Sequence, residues 1–310
     1  MNIGVLTIHG FAFHPNGRLK TAAQKAGHRI QLINPYQVIC SLEKQHPGMG
    51  GFFADTGVSV ALPDVALPNV VLPRQGSLMG GYGFVLLRQL HAMGIPLVNG
   101  LEGVTIARHQ YITLQTLAAA GIRIPDSCFI TRSDGFFAAV DQLGGYPVIA
   151  KQPFGMGGEG VVKIDDTAGA RTCVENMLDP VKGLVVQRFF PPAGRVDARI
   201  LVIGGRVAGA MKLVPAHNDF RTNIHQHGRA SAFDPPAEWA DMAVSATRAC
   251  SLDIAGIDMM HEKNGLPHVV EVNYSPGFRG LEAATGKDIA KKIIDHVEHK
   301  PGLKTKPWTT

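Results

Sequence analysis

The 20 residues IAGIDMMHEKNGLPHVVEVN, positions 254–273, set polar side chains into two apolar runs. Asn264 and Gly265 both tolerate positive φ, so the pair reads as a two-residue turn joining two strands. Position 263 then faces 266, and counting outward brings Asp258 opposite Glu271. Side chains alternate along a strand, so Asn273 points the same way as Glu271. Two carboxylates and an amide therefore converge on one face. A bulge at Pro267 would shift this register. Converging acids repel unless a cation lies between them, and carboxylate and amide oxygens suit Mg²⁺ or Mn²⁺ beside a nucleotide. The alternative is a half-exposed hairpin whose polar face meets water. The convergence favours the metal.

The surrounding chain fits a small anionic ligand. Its 310 residues can form two or three subdomains with cores of their own. Net charge is +5, with no run of Lys and Arg to suggest a nucleic-acid footprint. The basic residues after Lys300 read as a solvated terminus. Cys40, Cys128, Cys173 and Cys250 form no CxxC pair, which argues against a zinc site or a disulfide framework. MNIGVLTIHG opens as a strand rather than a signal peptide, and no run reaches the ~18 apolar residues of a membrane span. A cytoplasmic location is expected, without a membrane or nucleic-acid partner.

IGVLTI (3–8), a helix with Leu19, Ala22, Ala23 and Ala26 on one face, and IQLINP form a βαβ opening, which implies a parallel sheet. Residues 41–70 are rich in Gly and Pro and read as irregular. NVVLPRQG reads as a strand running into a loop, GFVLLRQLHAMG as a helix, and IPLVNG closes this unit. GVTIARHQYITLQTLAAAGI (103–122) reads as one long helix. Strands follow at DSCFIT, YPVIAK, GVVKI and GLVVQRFF, with helices at 133–144 and near 168–178. The last unit has strands DARILVIGG and RVAGAMKLV, a polar loop 216–230, a helix 236–251, the hairpin, and the terminal helix KDIAKKIIDHVEHK.

KQPFGMGGEGVV (151–162) has the Gly155-x-Gly157-x-x-Gly160 spacing of a dinucleotide fingerprint. That fingerprint needs a helix directly after the loop, and VVKI is β-branched. The loop therefore joins two strands, which disfavours a dehydrogenase. A glycine-rich hairpin can still cover phosphates with backbone N–H groups, with Lys151 adding charge; a plain hairpin with a solvated lysine is equally open. NDFRTNIHQHG (218–228) offers Arg221 and Asn223 at alternate positions, followed by His225 and His227. Arg221 could neutralise a phosphoryl group; zinc lacks partner ligands at the right spacing, and a solvated loop competes.

RVDARILVIGGRVAGAMK, DFRTN, AGIDMM and VVEVNYSPGFRGLEAATGKDIA, in this order, make the chain resemble the ATP-grasp superfamily, closest to its RimK-like branch of amino-acid ligases, ribosomal protein S6 glutamate ligase and relatives. The resemblance covers nearly the whole chain. It implies an α/β fold of α+β subdomains: an N-terminal parallel-sheet domain (1–98), a lid subdomain with the glycine-rich loop (99–186) and a C-terminal antiparallel-sheet subdomain (187–310).

It also implies roles. Lys151 would contact ATP phosphates under a loop containing Gly157, Gly158 and Gly160. Gln187, Arg188, Phe189 and Phe190 would present backbone to the adenine edge, and Asp197 would contact the nucleotide. Arg199 would lie toward the acceptor or phosphoryl group. Arg221, Thr222 and Asn223 would hold the γ-phosphate region, with Arg199, Arg221 and Asn223 as the catalytic set. Asp258, Glu271 and Asn273 would hold two divalent ions, Mg²⁺ or Mn²⁺. Arg74 and the segment containing Ser275, Gly277 and Arg279 would shape the substrate pocket.

Two positions depart from the pattern. Where the family usually has an Arg-Asp-Lys triplet, this chain has Arg108-His109-Gln110, so Gln110 occupies the place of a second phosphate lysine. Arg188 replaces a usual glutamate. The implied activity is ATP-dependent ligation of an α-amino acid, glutamate among them, to a carboxylate acceptor through an acyl phosphate, giving ADP and phosphate. The acceptor could be a small molecule, a coenzyme or a protein C-terminus, and the enzyme a homo-oligomer. The alternative is a nucleotide-binding or regulatory protein impaired in catalysis. Gln110 and Arg188 speak for it; the intact acids, Lys151 and Arg221 speak against it.

Overall fold

The computed structural model describes residues 1–42, 58–61, 67–76, 79–155, 160–214, 229–261 and 265–300. The chain opens with β1 (Asn2–Leu6), α1 (His14–Lys25) and β2 (Arg29–Ile33). β3 (Ile39–Leu42), β4 (Val58–Ala61), β5 (Val70–Pro73) and α2 (Gly81–Ala92) follow. A three-stranded sheet runs in the order β2-β1-β5, and both pairings are parallel, as the βαβ opening implies. The helical spacing of α1 buries Leu19 and Ala23 against this sheet. β3 and β4 pair antiparallel in a separate two-stranded sheet. They fall within or beside the stretch 41–70 read as irregular, because four-residue strands leave too little periodicity to detect.

α3 (Leu101–Ala107) and α4 (Gln110–Ala119) replace the single helix predicted over 103–122. The break lies at His109, whose backbone is extended (φ −121°, ψ 114°). Its Nδ1 accepts the Ile112 N–H at 3.3 Å and so caps α4. β6 (Ser127–Ile130), α5 (Ser133–Gln142), β7 (Val148–Lys151), β8 (Val161–Ile164), α6 (Thr167–Met177) and β9 (Leu184–Arg188) form the next unit. Its sheet is antiparallel throughout, in the order β6-β9-β7-β8. Phe136, Val148, Leu184 and Val186 pack with α5 and α6 into a core of its own.

The last unit holds β10 (Val196–Ile203), β11 (Arg206–Val214), β12 (Arg229–Ala232), α7 (Ala237–Ala249), β13 (Ile254–His261), β14 (His268–Asn273), α8 (Arg279–Thr285) and α9 (Ile289–His299). Its five-stranded sheet is antiparallel, in the order β12-β11-β10-β13-β14. β12 begins inside the stretch read as a polar loop, and α8 is too short for its period to show.

Two cores weld this sheet to the first one. Ile200, Ile257 and Trp239 share a cluster with Leu6, Val71 and Leu86. On the other side Leu201, Phe278 and Ile293 cluster with Ile3, Val5 and Leu72. The four-stranded sheet is thus the part built on a separate core. Among the described residues, no helix is long and apolar enough to cross a membrane.

Candidate functional site

β10, β13 and β14 lie side by side and carry the polar cluster. Arg199 pairs with Asp258, Asp258 with Glu271, and Gly256 with Asn273. The counted Asp258–Glu271 pairing is the one observed, but it is reached through a bulge. Met259 pairs with Val269 and Met260 with His268, one residue out of the simple count, and Val270 is the extra residue that restores it. The turn residue Asn264 lies outside the described residues. Ile200, Ile257, Met259 and Val272 are buried in the core containing α7, which leaves Arg199, Asp258 and Glu271 for the opposite face. Gly256 is required there: a Cβ would come within 2.8 Å of the Pro276 Cβ.

Arg199 forks onto Asp258, Nε to Oδ1 at 2.6 Å and Nη2 to Oδ2 at 2.5 Å. Burial would lower the Arg199 pKa, but Asp258 and Glu271 outweigh it and raise it overall. Glu271 is held above the usual carboxylate range, first by burial and then by Asp258. Arg199, Lys151 and a hydrogen bond from Asn273 work the other way. Lys151 reaches this cluster from the end of β7 on the four-stranded sheet. Burial draws its pKa down to about 8, against the pull of Glu271 and Asp258. Its Nζ donates to Gln187 Oε1 at 2.6 Å, and Gln187 Nε2 donates to Ser127 Oγ at 2.9 Å. Two sheets therefore present opposite charges to one another.

The donor set suits a hard cation. Asp258, Glu271 and Asn273 offer oxygens only, the ligand type that Mg²⁺ and Mn²⁺ take. Among the described residues no three His, Cys, Asp or Glu side chains cluster as a metal site, so the amide of Asn273 would have to complete the set. Beside it, Asp197 is buried, with Oδ2 bonded to Arg195 at 2.9 and 3.1 Å and Oδ1 buried without a partner. Arg195 also donates to the Phe190 carbonyl at 2.7 Å, which joins Asp197 to the end of the QRFF segment.

The other candidates fall in three places. Gln187 is buried, and Arg188 is exposed with its guanidinium 5.2 Å from the Phe190 ring. Phe189 lies under Lys163 Nζ at 5.0 Å. Gly160 closes the glycine loop at φ +72°, where its carbonyl accepts the Gln152 N–H. Gly157, Gly158, Arg221, Thr222 and Asn223 lie outside the described residues. Gln110 is tied down: its N–H donates to the Pro153 carbonyl at 2.8 Å and its Nε2 to the Val270 carbonyl at 2.9 Å. Arg74 packs against the segment after β14, donating from Nη2 to the Pro276 carbonyl at 2.5 Å. Ser275 faces Gly76, whereas Gly277 and Arg279 are exposed at the start of α8.

Sequence reasoning missed Arg195, although its spacing two residues before Asp197 marks one strand face. Ser127 gave no signal.

Residues 1–104 match the RimK PreATP-grasp domain family, and residues 107–297 the RimK-like ATP-grasp domain family. A probable alpha-L-glutamate ligase of Aliivibrio fischeri (strain MJ11) is 34% identical over 304 residues, covering 98% of this chain and 97% of that protein. A probable alpha-L-glutamate ligase of Parasynechococcus marenigrum (strain WH8102) is 36% identical over 93% of this chain, which spans 60% of that longer relative. Among solved structures, a RimK domain protein ATP-grasp from Sphaerobacter thermophilus DSM 20745 superposes with a TM-score of 0.74 at 23% identity, covering 96% of this chain and 99% of that one.

The fold is that of the ATP-grasp ligases. The chain belongs to the RimK-like ATP-grasp family, and with it to the ADP-forming ligases.

Proposed function

We propose that this chain joins the amine of an α-amino acid, glutamate first among them, to a carboxylate acceptor, with release of ADP and phosphate. The observation that carries this reading is the approach of Lys151, from one sheet, to Glu271 and Asp258 on another, where Arg199 forks onto Asp258. Fixed cations there stabilise charge on a phosphoryl group in transfer without reorganising, and the acids beside them suit a divalent ion that would do the same. The relatives that span this chain end to end are named for glutamate, which supports the choice of amino acid.

In this reading Lys151, with Gly157, Gly158 and Gly160 of the loop above it, takes the phosphates of ATP. Gln187 to Phe190 meet the base, and Asp197 the nucleotide. Asp258, Glu271 and Asn273 hold divalent cation, two ions of Mg²⁺ or Mn²⁺, which offsets negative charge on the phosphates when bound. Arg199, Arg221 and Asn223 surround the transferring group. The division at 1–98, 99–186 and 187–310 assigns the glycine loop to a lid, whose closure would keep water from an activated carboxyl.

The test is product analysis. The protein is incubated with ATP, Mg²⁺, L-glutamate and a panel of acidic acceptors, and nucleotides are separated by ion exchange. ADP formed only with a productive pair is the expected result. AMP and pyrophosphate would point instead to an adenylating enzyme. Rapid ADP formation without either substrate would point to a simple ATPase.

A further inference from the structure

β1 and β5 are parallel neighbours that lead to helices on opposite faces of their sheet. α1 packs with Ile3, Val5 and Leu72, and α2 with Leu6 and Val71. Parallel strands whose connections diverge in this way open a crevice beyond their carboxyl ends, and such crevices take ligands. Arg74 stands in this one, its backbone N–H bonded to the Leu6 carbonyl at 2.9 Å.

The guanidinium is turned inward, and Arg74 is only 8% exposed. Nη2 is bonded to the Pro276 carbonyl, and the group lies 5.7 Å from the Phe278 ring. Nε is buried and has no partner. Arg195 has Asp197 and Arg199 has Asp258, but among the described residues no carboxylate faces Arg74. Burial alone draws its pKa down to about 10.

An unpaired buried cation is costly, and an unmade bond at its Nε–H adds to that cost. The natural complement of the free edge is a carboxylate, which accepts from Nε and Nη together. The crevice adjoins the acid cluster: the Tyr274 hydroxyl bonds the Gly76 carbonyl, and Tyr274 directly follows Asn273. Phe278 also meets His14, ring centroids 6.0 Å apart, whose Nδ1 is buried and unpartnered.

We propose that Arg74 binds a substrate carboxylate that takes no part in the bond being formed. This rests on the ligase reading, in which the amine of an amino acid must stay free to attack. Its carboxylates are then the handles left for recognition. The glutamate α- and γ-carboxylates share this chemistry, and their amides tell them apart.

Thermal melts with ADP and Mg²⁺ present test the subsite without turnover. L-glutamate should raise the melting temperature of the wild type. Either the α-amide of glutamate or L-glutamine should fail to do so, which identifies the carboxylate held. Arg74→Gln should melt at or above the wild-type temperature without amino acid, because an unpaired buried charge is gone, and should lose the response to L-glutamate. Where ADP release is measurable, KM for L-glutamate should rise at least about tenfold, with kcat within about threefold. Arg74→Lys should recover only part of the response, since a point charge lacks the planar fork.

The proposal is overturned if wild type ignores L-glutamate, if both amides protect as well as the acid, or if Arg74→Gln keeps the full response. A variant that melts well below wild type and still responds shows a purely structural arginine and likewise overturns it. Protection that depends on Arg74, without ADP release for any substrate pair, would keep the subsite and sink the ligase reading.

Discussion

Arg199 and Asp258 lie opposite each other on β10 and β13 and are joined by two hydrogen bonds, at 2.6 and 2.5 Å. Glu271 is the next partner across the sheet. The guanidinium therefore keeps two neighbouring carboxylates from repelling each other. Arg199→Ala removes that balance and leaves Asp258 and Glu271 facing each other with only the charge of Lys151 to offset them. Breaking one side of a fully buried pair costs about 3–5 kcal/mol. This pair is partly open, at 27% and 21% side-chain exposure, so about 2 kcal/mol is expected, read by urea denaturation. Glu271→Gln should behave in the opposite way. It removes an acid held above its usual range by burial and by Asp258, so the fold should be no less stable while turnover falls at least about a hundredfold. A Glu271→Gln enzyme with wild-type activity across a Mg²⁺ titration would remove this residue from the site.

Gln110 opens α4 and ties two parts of the site together through the Pro153 and Val270 carbonyls. A lysine there would exchange one neutral bond for a cation near Glu271. Charge-assisted bonds to phosphate are about twice as strong as neutral ones. Gln110→Lys is expected to bind ATP several-fold more tightly by calorimetry. Loss of the amide bond to Val270 should cost the free protein about 1 kcal/mol. Unchanged ATP affinity would mean that another group already supplies the charge.

The hairpin shows how far the sequence could be read. Alternation fixed the face shared by Glu271 and Asn273, and the pairing of Asp258 with Glu271 came from counting. The count assumed a regular ladder, whereas the extra residue Val270 shifts the pairs nearer the turn by one. A bulge is a local backbone event with no periodic signature. The same holds at His109, where apolar spacing runs on through 103–122 but a side-chain cap restarts the helix. Patterns that repeat every two or 3.6 residues reach the elements. The family resemblance assigned Lys151, Gln187 and Arg74 to one site, but the contacts between distant segments, such as Lys151 with Gln187 or Arg74 with Pro276, leave no local pattern and were not legible.

Asn99 sits at the seam between the first sheet and the last, and its amide is saturated. Nδ2 donates to the carbonyls of Ile254 and Tyr274, and Oδ1 accepts the N–H groups of Asp253 and Ile254, all at 2.7 Å. The side chain is 1% exposed, so water cannot replace these bonds. It joins the start of β13 to the residue after β14. Asn99→Leu keeps the branching of the side chain but orphans four backbone groups. Each buried orphan costs about 1–3 kcal/mol, and the groups relax together, so about 4 kcal/mol of destabilisation is expected. Equilibrium unfolding in urea measures it, and a loss below about 1 kcal/mol would show that the seam is held elsewhere.

Asp253 gives the fold a definite acid sensitivity. Its Oδ2 receives Lys300 Nζ at 2.6 Å, and its Oδ1 lies 3.3 Å from His296 Nε2. Burial would raise its pKa, but the bonds to His296 and Lys300 outweigh it and hold the carboxyl below the usual range. A depressed folded-state pKa stabilises the protein above the unfolded value, about 3.9 for Asp. That contribution is lost as pH falls through the folded value. Asp253→Asn should therefore be less stable than wild type at pH 7 and keep the same deficit down to about pH 5. The gap should then narrow below about pH 4, as the wild-type carboxyl takes up its proton. The shorter of the two contacts is the one from Lys300, the tether at the end of α9, whose ammonium stays charged across this range. Lys300→Met should reproduce most of the pH 7 deficit, and combining the two changes should cost little more than either alone. Chemical melts of the four proteins between pH 3 and 8 decide this. A deficit that widens on acidification, or two changes that simply add, would show that the Asp253–Lys300 pair does not act as one unit.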